Sequence, residues 1–210
     1  MQDNLIISYL TLRKVIGWLG MGLGIFCFVG GLVFAGIVKD SISAYYHSNM
    51  RDVMVGVLMI AGAFLVSYKG YDKLDDVMSN VAGISAIVVG LFPCYSGQTR
   101  LGFMLLPGKF VGVVHFVSAG VFFLTLAFIS YFLFTKSGEK VTYRKRQRNK
   151  VYRVCGIVIF VSVLVLALAG LFVPSEITKA LLLTLVVEIV MLIAFGISWL
   201  VKGEVLLGDL

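Results

Sequence analysis

The sequence predicts an all-α polytopic membrane protein: one domain, residues 1–210, folded as a six-transmembrane-helix bundle with the N- and C-termini cytoplasmic. Three observations carry this. Of the 210 residues, 60% are hydrophobic and 14% charged, and the mean hydropathy is +1.00. A water-soluble domain of that length has too little interior to hide so much apolar surface. The apolar residues also form six long runs instead of alternating patterns, which selects helices over strands. Finally, Lys and Arg are distributed unevenly between alternate connections.

The six spans are expected near 15–38, 53–71, 77–95, 111–135, 152–173 and 178–201. The first run is about 24 residues long, beyond the roughly 7–15 of a signal-peptide core, and reads as a retained span. It carries Gly17, Gly20, Gly24 and Gly31 at helical spacing. Small residues there let a neighbouring helix approach closely; packing inside the bundle is the first expectation and a dimer seam the alternative. With the N-terminus inside, the inner segments hold thirteen Lys and Arg and the outer loops five, namely Lys39, Arg51, Arg100, Lys109 and Lys179. Eight of the thirteen lie between Lys136 and Arg153, in TKSGEKVTYRKRQRNKVYR.

That basic stretch, 136–153, is expected to be a cytoplasmic loop lying on anionic lipid headgroups, at roughly 1 kcal/mol per cation near the surface. It accounts for much of the net charge of +7, which therefore is no sign of nucleic acid. Tyr143 and Tyr152 are its only aromatics, too few for a base-stacking platform. Cys27, Cys94 and Cys155 are odd in number and widely spaced, so neither a disulfide framework nor a CxxC metal site is expected.

Polar chemistry gathers in SISAYYHSNMRD, Ser41 to Asp52, which falls in the first outer loop. A helix starting at Ser43 would set Ser43, His47 and Arg51 on one face, with Asp52 beside it as an ion-pair partner of Arg51 or a helix-start carboxylate. His115, about five residues into the fourth span, would lie in the same layer. Tyr45, Tyr46, His47, Arg51, His115 and Glu188 are the candidate ligand-binding residues. For each histidine a structural hydrogen bond is the competing role. Glu188, in TLVVEIVML near the middle of the last span, should face the bundle interior, since a carboxylate in hydrocarbon costs about 2.5–3.5 kcal/mol on insertion scales. A structural bond and a part in proton, ion or ligand binding both stand.

Ser43, His47, Asp52 and His115 are the candidate catalytic residues. No G-x-S-x-G elbow, P-loop or dinucleotide fingerprint is present, and no motif demands a cofactor. A catalytic zinc would need three protein ligands and a water; His47 and His115 with Asp52 or Glu176 are the residues from which such a set would come.

SISAYYHSNMRDVMVG, AGISAIVVGLFP and VVHFVSAGVFF resemble the DRAM-type (damage-regulated autophagy modulator) six-helix membrane family and its bacterial relatives of unknown function, over most of Ser41 to Phe134. That resemblance implies six spans, inner termini and a polar first outer loop, but no reaction; the expected location is the bacterial inner (plasma) membrane. Ser43-x-x-x-His47 followed by Asp52 is similar to the alkaline ceramidase and adiponectin receptor superfamily of zinc-dependent lipid hydrolases. This chain departs from it in the last span, which has no histidine.

The expected function is thus a non-enzymatic protein binding a lipid, a small amphiphile or a protein partner, a second copy included, in a polar layer at the outer face. An intramembrane lipid hydrolase is the alternative, and a small transporter or channel using Glu188 the second alternative. The orientation is directly testable. In a His47→Cys chain, a membrane-impermeant maleimide should label position 47 from outside intact cells, and labelling only from within would reverse every assignment above.

Overall fold

The computed structural model describes residues 8–102, 104–137 and 141–208. Helix α1 (Tyr9–Ala35) begins where the Ser8 hydroxyl accepts the Thr11 N–H and ends at Gly36, whose left-handed φ of 62° lets its N–H turn back to the Gly31 and Leu32 carbonyls. Such a C-terminal turn favours a residue without Cβ. Next come α2 (Arg51–Ser67), α3 (Lys73–Leu91), a two-stranded hairpin of β1 (Arg100–Leu101) and β2 (Leu106–Pro107), and α4 (Gly108–Phe128). A single π turn, Ile129–Leu133, prolongs α4. Then follow α5 (Tyr143–Phe172), the short α6 (Ser175–Ala180) and α7 (Leu183–Lys202).

Among the described residues five helices are long and apolar enough to cross a membrane: α1, α3, α4 with its π turn, α5 and α7. The chain is an all-α integral membrane protein. Lipid is the solvent that suits the outward side chains: Phe116 on α4 is 73% exposed and Leu171 on α5 75%, within rows of apolar neighbours that would aggregate in water. Helix α2, at 17 residues, is the short member, about 25 Å at 1.5 Å per residue.

Six helices close into a ring, because α1 packs on α2, α2 on α3, α3 on α4, α4 on α5, α5 on α7 and α7 on α1. The glycines of α1 serve this closure. A Cβ on Gly17 would meet Leu200, one on Gly20 the Phe195 ring, and one on Gly24 Leu192 and Ile189, all on α7, while Gly31 lies under the Tyr45 ring. Their role is close packing within the chain. Between α2 and α3 the backbones themselves touch: a Cβ on Gly83 would stand 2.6 Å from the Gly62 carbonyl oxygen and 2.8 Å from the Val66 nitrogen.

Three expectations need correction. The basic stretch is mostly not a loop. Thr142 caps the Lys145 N–H and α5 starts at Tyr143, because Arg, Lys and Gln are good helix formers and nothing in 143–153 breaks a helix. The last span does not run unbroken from 178, since Leu182, at a left-handed φ of 48°, separates α6 from α7. Nor does the second helix start at Ser43. Ser43–His47 is a 3-10 turn, Ser48 is extended, and α2 begins at Arg51, so Ser43, His47 and Arg51 do not share one α-helical face.

The end opposite Ser41–Asp52 is tied by charge and aromatics. Asp72 caps α3 by accepting the Leu74 and Asp75 N–H groups, and Lys136 binds Asp72 at 2.8 Å and the buried Asp75 at 2.6 Å. The Lys136 bond and the α3 amides hold the Asp72 carboxyl below its ordinary value. Burial opposes the Lys136 charge, but the two carboxylates outweigh it and hold the ammonium above its ordinary value. Nearby, buried Trp199 meets Tyr68, Phe134 and Phe195 edge-to-face at 5.2, 5.1 and 6.2 Å, an arrangement aromatic quadrupoles favour.

The α2–α3 contact sets a stability test. Gly83→Leu should cost about 1–3 kcal/mol or more, because the obstruction is backbone that cannot rotate away. Gly56→Ala, where a Cβ meets nothing within 4 Å, should lower stability by less than about 0.5 kcal/mol. Thermal unfolding in detergent distinguishes the two.

Candidate functional site

The chain between α1 and α2 is a folded plug. Ser41 Oγ accepts the Ala44 N–H at 3.0 Å, starting the 3-10 turn. Ser48 Oγ donates to the Tyr45 carbonyl at 2.6 Å and accepts the Met50 N–H at 3.1 Å, finishing it. Tyr45 is fully buried, its hydroxyl accepting the Lys39 N–H at 3.4 Å. These are the local side-chain-to-backbone bonds that Ser offers a turn in place of a ladder.

Glu188 holds this plug to the bundle. One carboxylate oxygen accepts the Ile42 N–H at 2.5 Å, and the other faces the Ser43 hydroxyl at 3.5 Å. One turn earlier on α7 the Leu185 N–H donates to the Asp40 carbonyl at 3.0 Å. Both contacts bring the start of α7 to the end of α1, so the two helices run in opposite directions. A small cavity of about 40 Å³ lies beneath, walled by apolar side chains such as Leu58, Phe122 and Leu192, with Ser43 and Glu188 as its polar lining. It is water-sized and holds neither a headgroup nor an acyl chain.

The two histidines meet the same short segment from two sides. His47 Nε2 lies 2.9 Å from the Cys94 carbonyl oxygen, and buried His115 places Nδ1 2.7 Å from that of Phe92. Each such nitrogen carries the proton and donates, since a carbonyl only accepts. Residues 92–94, just past the end of α3, are thereby clasped between the plug and α4. Burial pushes the Cys94 thiol up to about 12, and the Glu188 carboxylate adds to the rise.

The candidate catalytic groups do not converge. Ser43 turns to Glu188, His47 to Cys94 and His115 to Phe92. Asp52 is exposed in the first turn of α2. Arg51 does not pair with it; the guanidinium lies 4.6 Å over the Tyr46 ring and donates to the Tyr46 hydroxyl at 3.0 Å. Glu176 is exposed on α6, its carboxylate accepting the Ser175 hydroxyl at 3.0 Å. Among the described residues no group of three or more His, Cys, Asp and Glu comes together as a metal-ligand set.

What does converge is an open cleft of about 520 Å³ beside the plug. Tyr46, His47, Ser48 and Arg51 form one side, and the hairpin forms the other through Arg100, Leu101, Gly102 and Leu105. Arg100 is braced by donating to the Leu105 carbonyl at 3.1 Å. Sequence reasoning placed Arg100 on this side without assigning it a role. It also missed the main-chain partners of the histidines, which no side-chain motif encodes.

A model of the family described as "Protein of unknown function (DUF998)" matches residues 43–201, most of the chain, from the plug to the end of α7. The chain belongs to that family. No curated protein and no solved structure matches it, and so neither the DRAM-type nor the ceramidase-type resemblance gains support.

The plug makes a defined prediction. Glu188→Leu leaves the Ile42 N–H without its acceptor, at about 1–3 kcal/mol, whereas Glu188→Gln keeps a carbonyl oxygen there and should retain most of the stability. Hydrogen exchange at the Ile42 amide should quicken in the leucine variant only. Equal exchange in all three proteins would remove Glu188 as the tie.

Proposed function

We propose that this DUF998-family member is a non-enzymatic protein of the bacterial inner (plasma) membrane that crosses it six times, with both termini cytoplasmic, and binds the anionic headgroup of a lipid or small amphiphile at its outer face. The single observation that carries the reading is the cleft beside the plug. Among the described residues its lining holds two arginines, a histidine and a tyrosine, and no carboxylate. Each guanidinium has five N–H donors in a fixed fork. The bonds to Tyr46 and Leu105 use part of that set and orient the rest. A planar fork so braced suits a carboxylate or phosphate oxygen pair.

Binding is favoured over hydrolysis by the commitments of the polar side chains. Both imidazoles donate to carbonyls, and Ser43 faces Glu188, so among the candidate catalytic residues no serine is paired with a histidine. Binding is favoured over transport by Glu188, which serves as an acceptor for the fixed loop amide of Ile42. The sixth crossing falls to α2, which packs between α1 and α3 in the ring. With α2 spanning, alternate connections fall on opposite sides and the Lys and Arg bias follows.

The purified full chain in nanodiscs should retain phosphatidylglycerol over phosphatidylcholine. Arg51→Ala with Arg100→Ala should weaken that preference about tenfold, the factor for about 1.4 kcal/mol of charge-assisted bonding. Unchanged lipid retention in the double variant, read by native mass spectrometry, would remove the cleft as the site.

A further inference from the structure

At the other end of the bundle, cations from distant parts of the chain enclose a second cavity of about 440 Å³. Arg13 comes from α1, Lys136 from the connection after α4, Lys145 and Arg148 from α5, and Lys202 from the end of α7. Among the described residues Glu204 is the one carboxylate in the lining. Tyr71, Tyr152 and Ser137 add hydroxyls.

The balance of charge inside this chamber is unusual. Lys202 is 7% exposed, and a cation removed from water is costly unless paired. Glu204 stands at 4.0 Å from Arg148, a long ion pair. Lys202 has no carboxylate within 4.0 Å among the described residues; it rests 4.8 Å from the Tyr71 ring centre and 5.2 Å from that of Phe134, with the Tyr71 hydroxyl at 3.4 Å. Arg13 donates to the Tyr68 hydroxyl at 3.2 Å, and its Nε is buried without a hydrogen-bond partner. Lys136 is neutralised by Asp72 and Asp75.

We propose that this chamber is a binding site for a phosphate-bearing group. Among the described residues, and apart from the Glu204 carboxylate, the polar side chains facing it are cations or hydroxyls able to donate, so its occupant is rich in acceptors and negative. Donors approach from α1, α5 and α7, which suits a tetrahedral anion with oxygens in several directions better than a flat carboxylate. A phosphomonoester carries about −1.5 to −2 charge at neutral pH, and arginine forks match its oxygens. The volume lies within the roughly 300–1,000 Å³ of small-ligand sites and leaves room for the group esterified to the phosphate. The proposal is independent of the outer cleft and gives the basic residues near α5 a role beyond lying on lipid: Lys145 and Arg148 line the chamber, whereas Arg146 and Lys150 on the same helix are exposed and do not.

The test uses the purified full chain and two probes. In phospholipid-free detergent, pyrophosphate and inorganic phosphate are titrated against chloride at matched ionic strength. In nanodiscs, phosphatidylcholine is compared with phosphatidylcholine containing phosphatidic acid. Binding in the first arm identifies a soluble phosphate, and binding only in the second a lipid headgroup; either supports the site. Lys145→Gln with Lys202→Gln should weaken the responding probe at least about tenfold, as expected on losing charge-assisted bonds, while Arg146→Gln with Lys150→Gln should change it less than about twofold. Should Lys202→Gln fail to fold, Lys145→Gln alone carries the comparison. Equal losses in the two pairs would reduce the effect to surface attraction and overturn the proposal, as would no response to either probe beyond that of chloride.

Discussion

A backbone that leaves a helix inside or beside hydrocarbon must find partners for its N–H and C=O groups. The end of this protein that carries Ser41–Asp52 is organised by that requirement. Between Gly36 and Met50 the chain is not α-helical, yet Tyr45 is fully buried. The Ile42 amide is answered by the Glu188 carboxylate and the Asp40 carbonyl by the Leu185 amide. The Phe92 and Cys94 carbonyls are answered by imidazoles. A carboxylate and two histidines, the residue types that most readily suggest chemistry, thus complete the hydrogen bonding of irregular backbone. The binding role proposed for this end rests instead on Arg51 and Arg100, which remain exposed.

The two ends of the ring solve different problems with different materials. At the Ser41–Asp52 end neutral and acidic groups bind main chain. At the other end cations crowd together, held by aromatic rings and a few carboxylates. Arg13 lies over Tyr68, Lys145 over Tyr152 and Lys202 over Tyr71 and Phe134. Ring faces attract a cation without adding a negative charge. The aromatic cluster around Trp199 ties α1, α2, α4, α5 and α7 into the same floor.

Much of the architecture was legible because hydrocarbon imposes it. The apolar runs became helices, and the need of Glu188 for an interior partner followed from cost alone. Its partner did not, because an amide 146 positions away leaves no trace in composition. The helical start of α5 was hidden behind its charges: Arg144, Lys145 and Arg146 read as a solvated loop, although their propensities and the Thr142 cap favour a helix. The 3-10 turn at Ser43–His47 could not be told from the first turn of an α-helix, since the two differ little over a single turn. The basic chamber was invisible because its five cations come from four separated stretches that only ring closure assembles.

Helix α2 has a consequence for the surrounding lipid. Its uncharged stretch, residues 53–67, spans about 22 Å, against about 30 Å of hydrocarbon. Counting around the ring, α5 stands diametrically opposite, and its 19 residues from Val154 onward measure about 28 Å. With all six helices inserted, the perimeter presents unequal apolar heights to the bilayer. Acyl chains beside α2 must shorten, or Arg51 and Lys69 must reach outward to meet the headgroups, at a fraction of a kcal/mol per ångström. The molecule therefore sits most comfortably in a thin membrane, or at the edge of a thicker one with its α2 flank turned toward the thinner lipid.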